Sequence, residues 1–294
     1  MICSIKFYVL EHFQTDLSAG VPMMDSAKSN YSIRDEIRDF WSERAATFDE
    51  SVGHEIFSEA ERKGWQRLIR KHLGEGQGRS ALDLACGTAV ISHLMNDVGF
   101  KVTGLDWSDT MLIQARAKAK KRGAAIRFVS GDAENTMEPK DSYDVITNRH
   151  LVWTLVDPPA AFREWFSVLK PGGKVLLVDG NLGKETWVKG LQKLWARISG
   201  KEPESPMTPA MLARHKAIRS RVYFSDQMPA EAIVELLREA GFENIVVDRK
   251  LADIHWAQAR KMPFLRGLDR MAQDRFAICA TKPVLSSLPQ RQLP

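Results

Sequence analysis

The chain has 294 residues, 44% hydrophobic and 27% charged, a globular composition that excludes a disordered or collagen-like protein. Its 42 basic and 37 acidic residues leave a net charge of +5, a small excess that a solvated surface explains better than a nucleic-acid face. No aliphatic run exceeds Val175-Leu176-Leu177-Val178, far short of the roughly 18 apolar residues of a membrane span, and three cysteines without CxxC spacing indicate neither a disulfide framework nor a zinc site.

Lys6 and Glu11 interrupt what would be the apolar core of a signal peptide. Residues 1–23 are therefore expected as a loosely packed extension, and the setting as a reducing cytoplasm. From Ile33 to Leu73 apolar residues recur at helical spacing (Ile33, Ile37, Phe40, Trp41, then Trp65, Leu68, Ile69, Leu73) and Gly74 is a natural stop. Two or three helices over 24–78 are expected, with a loop at 48–54.

Beyond the glycine-rich linker 74–78, short apolar runs alternate with amphipathic segments. The runs lie at 81–85, 101–105, 125–129, 143–147, 174–179, 245–247 and 276–280; helical patterns fill 89–98, 109–122, 158–169 and 229–240. This alternation predicts an α/β fold, a Rossmann-like doubly wound, mostly parallel seven-stranded sheet, because parallel strands need crossover connections. In the segment 109–122 Ser108 is placed to cap the start, Met111, Leu112, Ala115 and Ala119 form one face, and Gly123 ends it. Residues 183–228 break the rhythm with Trp187, Leu191, Leu194, Trp195 and Ile198 at helical spacing and then three prolines, which predicts a helical cap inserted in a core of 79–283. Residues 284–294 form a tail.

The chemistry-bearing residues fall at strand ends. Leu82-Asp83-Leu84-Ala85-Cys86-Gly87-Thr88-Ala89 makes a turn of small residues into a helix N-terminus, where a ligand can approach the backbone; close strand–helix packing explains the small residues equally well. Asp106 follows Asp83 by 23 residues, the spacing of a carboxylate that accepts both hydroxyls of a ribose; a helix cap shared with Ser108 is the other reading. Gly131-Asp132-Ala133-Glu134 adds a third acidic strand end. Three at one sheet edge define a nucleoside pocket better than any one alone.

In this order the segments Leu82–Thr88, Leu105-Asp106-Trp107-Ser108, Gly131–Glu134, Tyr143-Asp144-Val145-Ile146 and Leu169-Lys170-Pro171-Gly172-Gly173-Lys174 resemble the class I S-adenosylmethionine-dependent methyltransferases. The resemblance implies S-adenosylmethionine as cofactor, with Asp83, Ala85 and Gly87 around its methionyl part and Asp106 on the ribose hydroxyls. It further implies Trp107 flanking the adenine, Asp132 at the adenine amino group and Ala133 offering a backbone contact. Ala85 and Ala89 depart from the family's usual glycines, which implies reduced clearance. Absence of Gly-x-Gly-x-x-Gly argues against a nicotinamide dehydrogenase.

Trp41-Ser42-Glu43-Arg44-Ala45-Ala46-Thr47-Phe48-Asp49 resembles the segment that closes over the cofactor in small-molecule members, making Phe48 the lid residue, with Trp41 and Arg44 bracing it and His54 either in the pocket or in solvent. The fourth strand ends in Thr147-Asn148-Arg149-His150, beside the methyl group in this fold. There Asn148 can orient substrate or cofactor, Arg149 can hold a carboxylate or phosphate, and His150 is the candidate base; buried structural roles compete with each. Trp187 and Trp195 are expected either to line the acceptor pocket or to pack the cap, and Lys184 and Lys189, with Arg149, to make the pocket receptive to an anionic acceptor. The expected function is methyl transfer to a small molecule by a monomer or homodimer, without membrane or nucleic acid as partner. Alternatives are a reaction of the same cofactor that releases methylthioadenosine (cyclisation or aminopropyl transfer), an RNA methyltransferase, and a non-catalytic cofactor-binding regulator.

Overall fold

The computed structural model describes residues 31–181, 184–200 and 207–284. Ile33 begins the compact unit that carries the sheet; the extension expected at 1–23 and the tail past Val284 lie outside the described residues.

The strands are β1 (Ser80–Leu84), β2 (Lys101–Asp106), β3 (Arg127–Ser130), β4 (Tyr143–Arg149), β5 (Leu169–Gly180), β6 (Glu243–Asp248) and β7 (Arg275–Thr281). They form one sheet of order β3-β2-β1-β4-β5-β7-β6. Every neighbouring pair through β5 is parallel, and β7 runs antiparallel to both β5 and β6. The order reverses between β1 and β4, and a crevice opens at the carboxyl ends of the strands there, the usual ligand position in such a sheet.

Both faces of the sheet are covered, which is why the central strands read as continuous apolar runs rather than alternating ones. One face packs Leu82, Ile146, Leu177 and Ile278 against Phe162 and Trp165 of α5 (Pro158–Val168) and Ile233 and Leu237 of α8 (Ala230–Glu239). The other packs Ala81, Val145 and Leu176 against Trp65, Leu68 and Ile69 of α2 (Glu59–Leu73) and Ile91, Leu94 and Met95 of α3 (Val90–Asp97). On α4 (Asp109–Arg122) the Ser108 hydroxyl accepts the Met111 N–H at 3.3 Å and Gly123 ends the helix at φ +63°, as the sequence predicts.

Before the sheet lie α1 (Ile33–Arg44) and a 3₁₀ helix at Ala45–Glu50, where the sequence predicts only loop from Phe48 onward. The cap supplies α6 (Trp187–Ser199) and α7 (Pro209–Arg219). Ile218 of α7 and Val222 just beyond it pack against Ile37 and Phe40 of α1. Two further helices, α9 (Ala252–Ala259) and α10 (Phe264–Ala272), fill the β6–β7 connection, which the sequence pattern left unassigned; α9 packs on α2, and α10 on α9 and α6.

The apolar stripe of α6 is turned outward: Trp187 is 66% and Trp195 60% exposed. Neither reading of these tryptophans survives, since they neither line the crevice nor pack the cap. The helix instead rests on buried Val188 and on Gln192, whose Nε2 donates to the Leu265 carbonyl at 3.0 Å. Among the described residues no helix is long and apolar enough to cross a membrane.

Candidate functional site

A cleft of about 980 Å³, open mouth included, lies at the switch point and brings together the ends of β1, β2, β3 and β4 with the lid. Asp83, Ala85, Gly87, Asp106, Trp107, Asp132, Ala133, Phe48, Arg149 and His150 all line it. In the β1 turn Ala85, Gly87 and Ala89 stand at φ +50°, +54° and +72°. The turn therefore keeps the backbone path that glycine makes easy, with two alanines held in the left-handed region at a cost.

Each oxygen of Asp106 accepts a backbone N–H, Oδ2 from Gly87 at 2.8 Å and Oδ1 from Ser108 at 2.9 Å. Asp106 thus holds the N–H of the N-cap residue Ser108 rather than one of the helix itself, and since a carboxylate has roughly four acceptor positions the group can still serve the cleft it lines. Burial pushes its pKa up to about 6. Asp83 accepts the Ser92 hydroxyl at 2.5 Å and burial pushes it to about 7. At the β3 end Asp132 Oδ1 accepts the Glu134 N–H at 2.8 Å, and burial raises its carboxyl as well. The Ala133 carbonyl is taken by the Trp165 indole at 2.7 Å, which fixes the backbone there.

The lid closes one wall. Phe48 stacks on His54 with ring centroids 4.2 Å apart and meets Trp41 edge-on at 6.1 Å. His54 therefore lies in the pocket, its Nδ1 donating to the Phe48 carbonyl at 3.2 Å, and burial followed by the charge of Arg149 lowers its pKa to about 3. Lys118 of α4 ties the Ala45–Glu50 segment and Glu55 to the core: it pairs with Asp49 at 2.6 Å and with Glu55. Burial opposes ionisation of Glu55, yet the Lys118 hydrogen bond prevails and its pKa is lowered. Arg34 of α1 pairs with Glu134 and, at 3.6 Å, with Asp132, tying α1 to the β3 end.

The β4 end divides its three candidates. Asn148 is fully buried, outside the cleft lining, with neither amide atom hydrogen-bonded. Arg149 donates to the His54 carbonyl at 3.0 Å and lies 5.6 Å from the centre of the Trp65 ring. His150, at φ +60°, sits between Asp179 of β5, whose Oδ1 is 3.7 Å from its Nδ1, and Arg275 of β7, whose Nη2 is 3.3 Å from its Nε2. A guanidinium can only donate, so Nε2 accepts and Nδ1 carries the proton. Burial and the neighbouring Arg275 hold the His150 pKa well below its ordinary value, while burial pushes Asp179 up to about 7. Sequence reasoning missed Asp179 and Arg275, and placed cationic character on Lys184 and Lys189. Lys184 pairs with Asp274 at 3.5 Å, and neither lysine lines the cleft.

Residues 82–177 match the family model described as a methyltransferase domain. The chain is 34% identical over 154 residues to the ubiquinone/menaquinone biosynthesis C-methyltransferase of Bdellovibrio bacteriovorus, covering 51% of this chain and 65% of that one. It is 27% identical over 216 residues to the demethylmenaquinone methyltransferase of Paenarthrobacter aurescens, covering 72% and 80%. The alignments to the first curated relatives span 65%, 62% and 55% of their lengths. In fold, the chain is similar to phosphoethanolamine N-methyltransferase 2 of Haemonchus contortus, solved with phosphomonomethylethanolamine and S-adenosylhomocysteine (TM-score 0.60, 16% identity, 86% of this chain and 60% of that one). The matched methyltransferase domain is thus seated in a sheet of this order, with three carboxylates at its switch point.

Proposed function

We propose that this protein transfers a methyl group from S-adenosylmethionine to a small-molecule acceptor. The observation that carries the reading is the convergence of Asp83, Asp106 and Asp132 on one cleft with Phe48 closed over Gly87. Asp106 would accept the ribose hydroxyls, Asp132 the adenine amino group, and Trp107 would flank the ring. Gly87 leaves the turn bare where the methionyl part would pass. When bound, the cofactor supplies a methyl carbon already activated by its sulfonium; the acceptor nucleophile bonds to that carbon as the C–S bond breaks, leaving neutral S-adenosylhomocysteine.

The chain's own work is then to position the acceptor and exclude water. Trp41, Phe48, Leu151 and Leu155 give the cleft aromatic and aliphatic walls suited to a flat ring. The names of the relatives support a ring of the ubiquinone or menaquinone type, methylated at carbon. Burial keeps His150 neutral, but its one lone pair, on Nε2, already accepts from Arg275, so it could take the acceptor's proton only once that contact opens. Asn148, whose buried amide has no hydrogen-bond partner behind the cleft, would turn to the cofactor or acceptor once one is bound.

Calorimetry with S-adenosylhomocysteine tests the cofactor half: the wild type should bind and Asp106→Ala should lose most of the affinity. Incubation with S-adenosylmethionine and a panel of quinols should yield S-adenosylhomocysteine by mass spectrometry. Methylthioadenosine as the product would replace methyl transfer with the cyclisation or aminopropyl reading.

A further inference from the structure

Three arginines from distant parts of the chain gather about the end of β4, Arg149 in the lining of the cleft and Arg270 and Arg275 behind it. Arg149 donates to the His54 carbonyl at 3.0 Å, Arg270 of α10 to the Val52 carbonyl at 3.3 Å, and Arg275 approaches His150 at 3.3 Å. The first two therefore grip one turn, and the third meets the residue that follows Arg149. Gly53 in that turn stands at φ +93°, and a β-carbon there would come within 2.6 Å of Arg270 Nη2. Glycine is what lets the guanidinium close in.

None of the three is directly paired with a carboxylate, although Asp83 acts on Arg149, Glu61 on Arg149 and Arg270, and Asp179 on Arg275 through their charge. Among the described residues, no carboxylate oxygen lies within 4.0 Å of these guanidiniums. The nearby acids are turned to other donors. Glu61 accepts from Gln258 Nε2 at 2.7 Å and from the Phe57 N–H, and Asp179 from the Val152 and Gly180 N–H groups. Arg149 Nη1, Arg270 Nε and Arg275 Nε are sealed from solvent without an acceptor. Crowded, desolvated cations with orphan donors are costly unless an anion answers them. A planar guanidinium offers the donor fork that carboxylate and phosphate oxygens fit.

We propose that Arg149, backed by Arg270 and Arg275 behind the cleft wall, forms an anion-binding subsite at the acceptor end of the cleft, and that the methyl acceptor carries an oxyanion, a carboxylate or a phosphate, which seats there. The proposal rests on the methyl-transfer reading and adds to it the charge of the substrate. It also relocates the cationic character expected of Lys184 and Lys189 to the β6–β7 connection and the first residue of β7.

The test uses the full chain saturated with S-adenosylhomocysteine, so that the product's own carboxylate already occupies whichever donor it claims. Benzoate and inorganic phosphate are titrated separately, against chloride at matched ionic strength, and read by calorimetry and melting temperature. At least one of the two should bind saturably and raise the melting temperature where chloride does not, and the stronger response identifies the carboxylate or the phosphate. Arg270→Gln and Arg275→Gln, made separately, should each weaken that anion by about tenfold or more while keeping wild-type affinity for S-adenosylhomocysteine, which also shows that they fold. No saturable response in a wild type that binds S-adenosylhomocysteine would overturn the subsite and leave methyl transfer standing. Loss of S-adenosylhomocysteine affinity in both folded variants would assign the arginines to the cofactor and overturn it too. A wild type that fails to bind S-adenosylhomocysteine would sink both readings.

Discussion

The ring of Phe48 covers Gly87, its Cε1 lying 3.7 Å from where a β-carbon on the glycine would stand. The Ala45–Glu50 segment and the β1 turn thus meet at the residue where the backbone is barest. Phe48 is held there by His54 on one side and Trp41 on the other, so Phe48→Ala should uncover the methionyl end of the cleft. The loss of a stacked ring is worth roughly 1–3 kcal/mol. Calorimetric affinity for S-adenosylhomocysteine should fall about tenfold or more, and an unchanged affinity would show that the ring covers nothing.

Ala85 and Ala89 carry a left-handed backbone that costs an alanine roughly 1–2 kcal/mol, against which glycine's extra freedom in the unfolded chain weighs about 0.4–1 kcal/mol. Ala85 borders the cleft, whereas the Ala89 methyl is fully buried. Ala85→Gly is therefore expected to stabilise the protein by about 0.5–1 kcal/mol in urea melts, and Ala89→Gly to be near neutral because it also forfeits packing. Marked destabilisation by Ala85→Gly would mean that the alanine is not strained.

Lys118 reaches both Asp49 and Glu55, and its Nζ is also 3.1 Å from the Thr88 hydroxyl. Lys118→Met leaves two carboxylates facing one another beside the lid. Release of S-adenosylhomocysteine in stopped-flow should quicken by about three- to tenfold. Added salt should speed release from the wild type more than from the variant, and identical salt dependence would remove the strap.

Asp179 shows a pH dependence opposite to that of an ion-paired carboxylate. Its folded pKa of about 7 lies above the ordinary value of 3.8, with burial the leading cause. Between those values the folded protein holds a proton that the unfolded chain has released, so this group's contribution to stability falls as the pH rises through the window. Asp179→Asn removes the titration. From pH 5 to pH 8 its stability relative to wild type should improve by about 2–4 kcal/mol, measured by urea melts at each pH; a constant difference would show that Asp179 ionises without penalty.

Local pattern in the sequence was enough to place β1 to β7, α4 and the three acidic strand ends, because hydrophobic period, caps and turn residues are all short-range. Phe48 was within reach for the same reason, lying in a short motif, whereas His54 lies beyond that motif and its place, pocket or solvent, stayed open. The outward stripe of α6 was not, since amphipathic spacing says which residues share a face but not which way the face points. Lys118 looked like any other helical lysine until the lid was folded beside it. Arg270 and Arg275 escaped notice because no local motif marks them; their meaning arises only when β7 inserts between β5 and β6 and brings them beside His54 and His150.

β7 enters the sheet in reverse, with Arg275 opposite Gly180 in the register. A parallel strand offers the crevice its last residue, whereas this one offers its first, together with the chain that leads into it. On the proposed assignment, the nucleoside is read by residues 83–134 and the acceptor's charge by Arg149 backed by a segment more than a hundred positions past that stretch. The molecule therefore keeps two separate addresses in its chain, and altering residues 249–275 would redirect which compound is methylated while the methyl donor stayed the same.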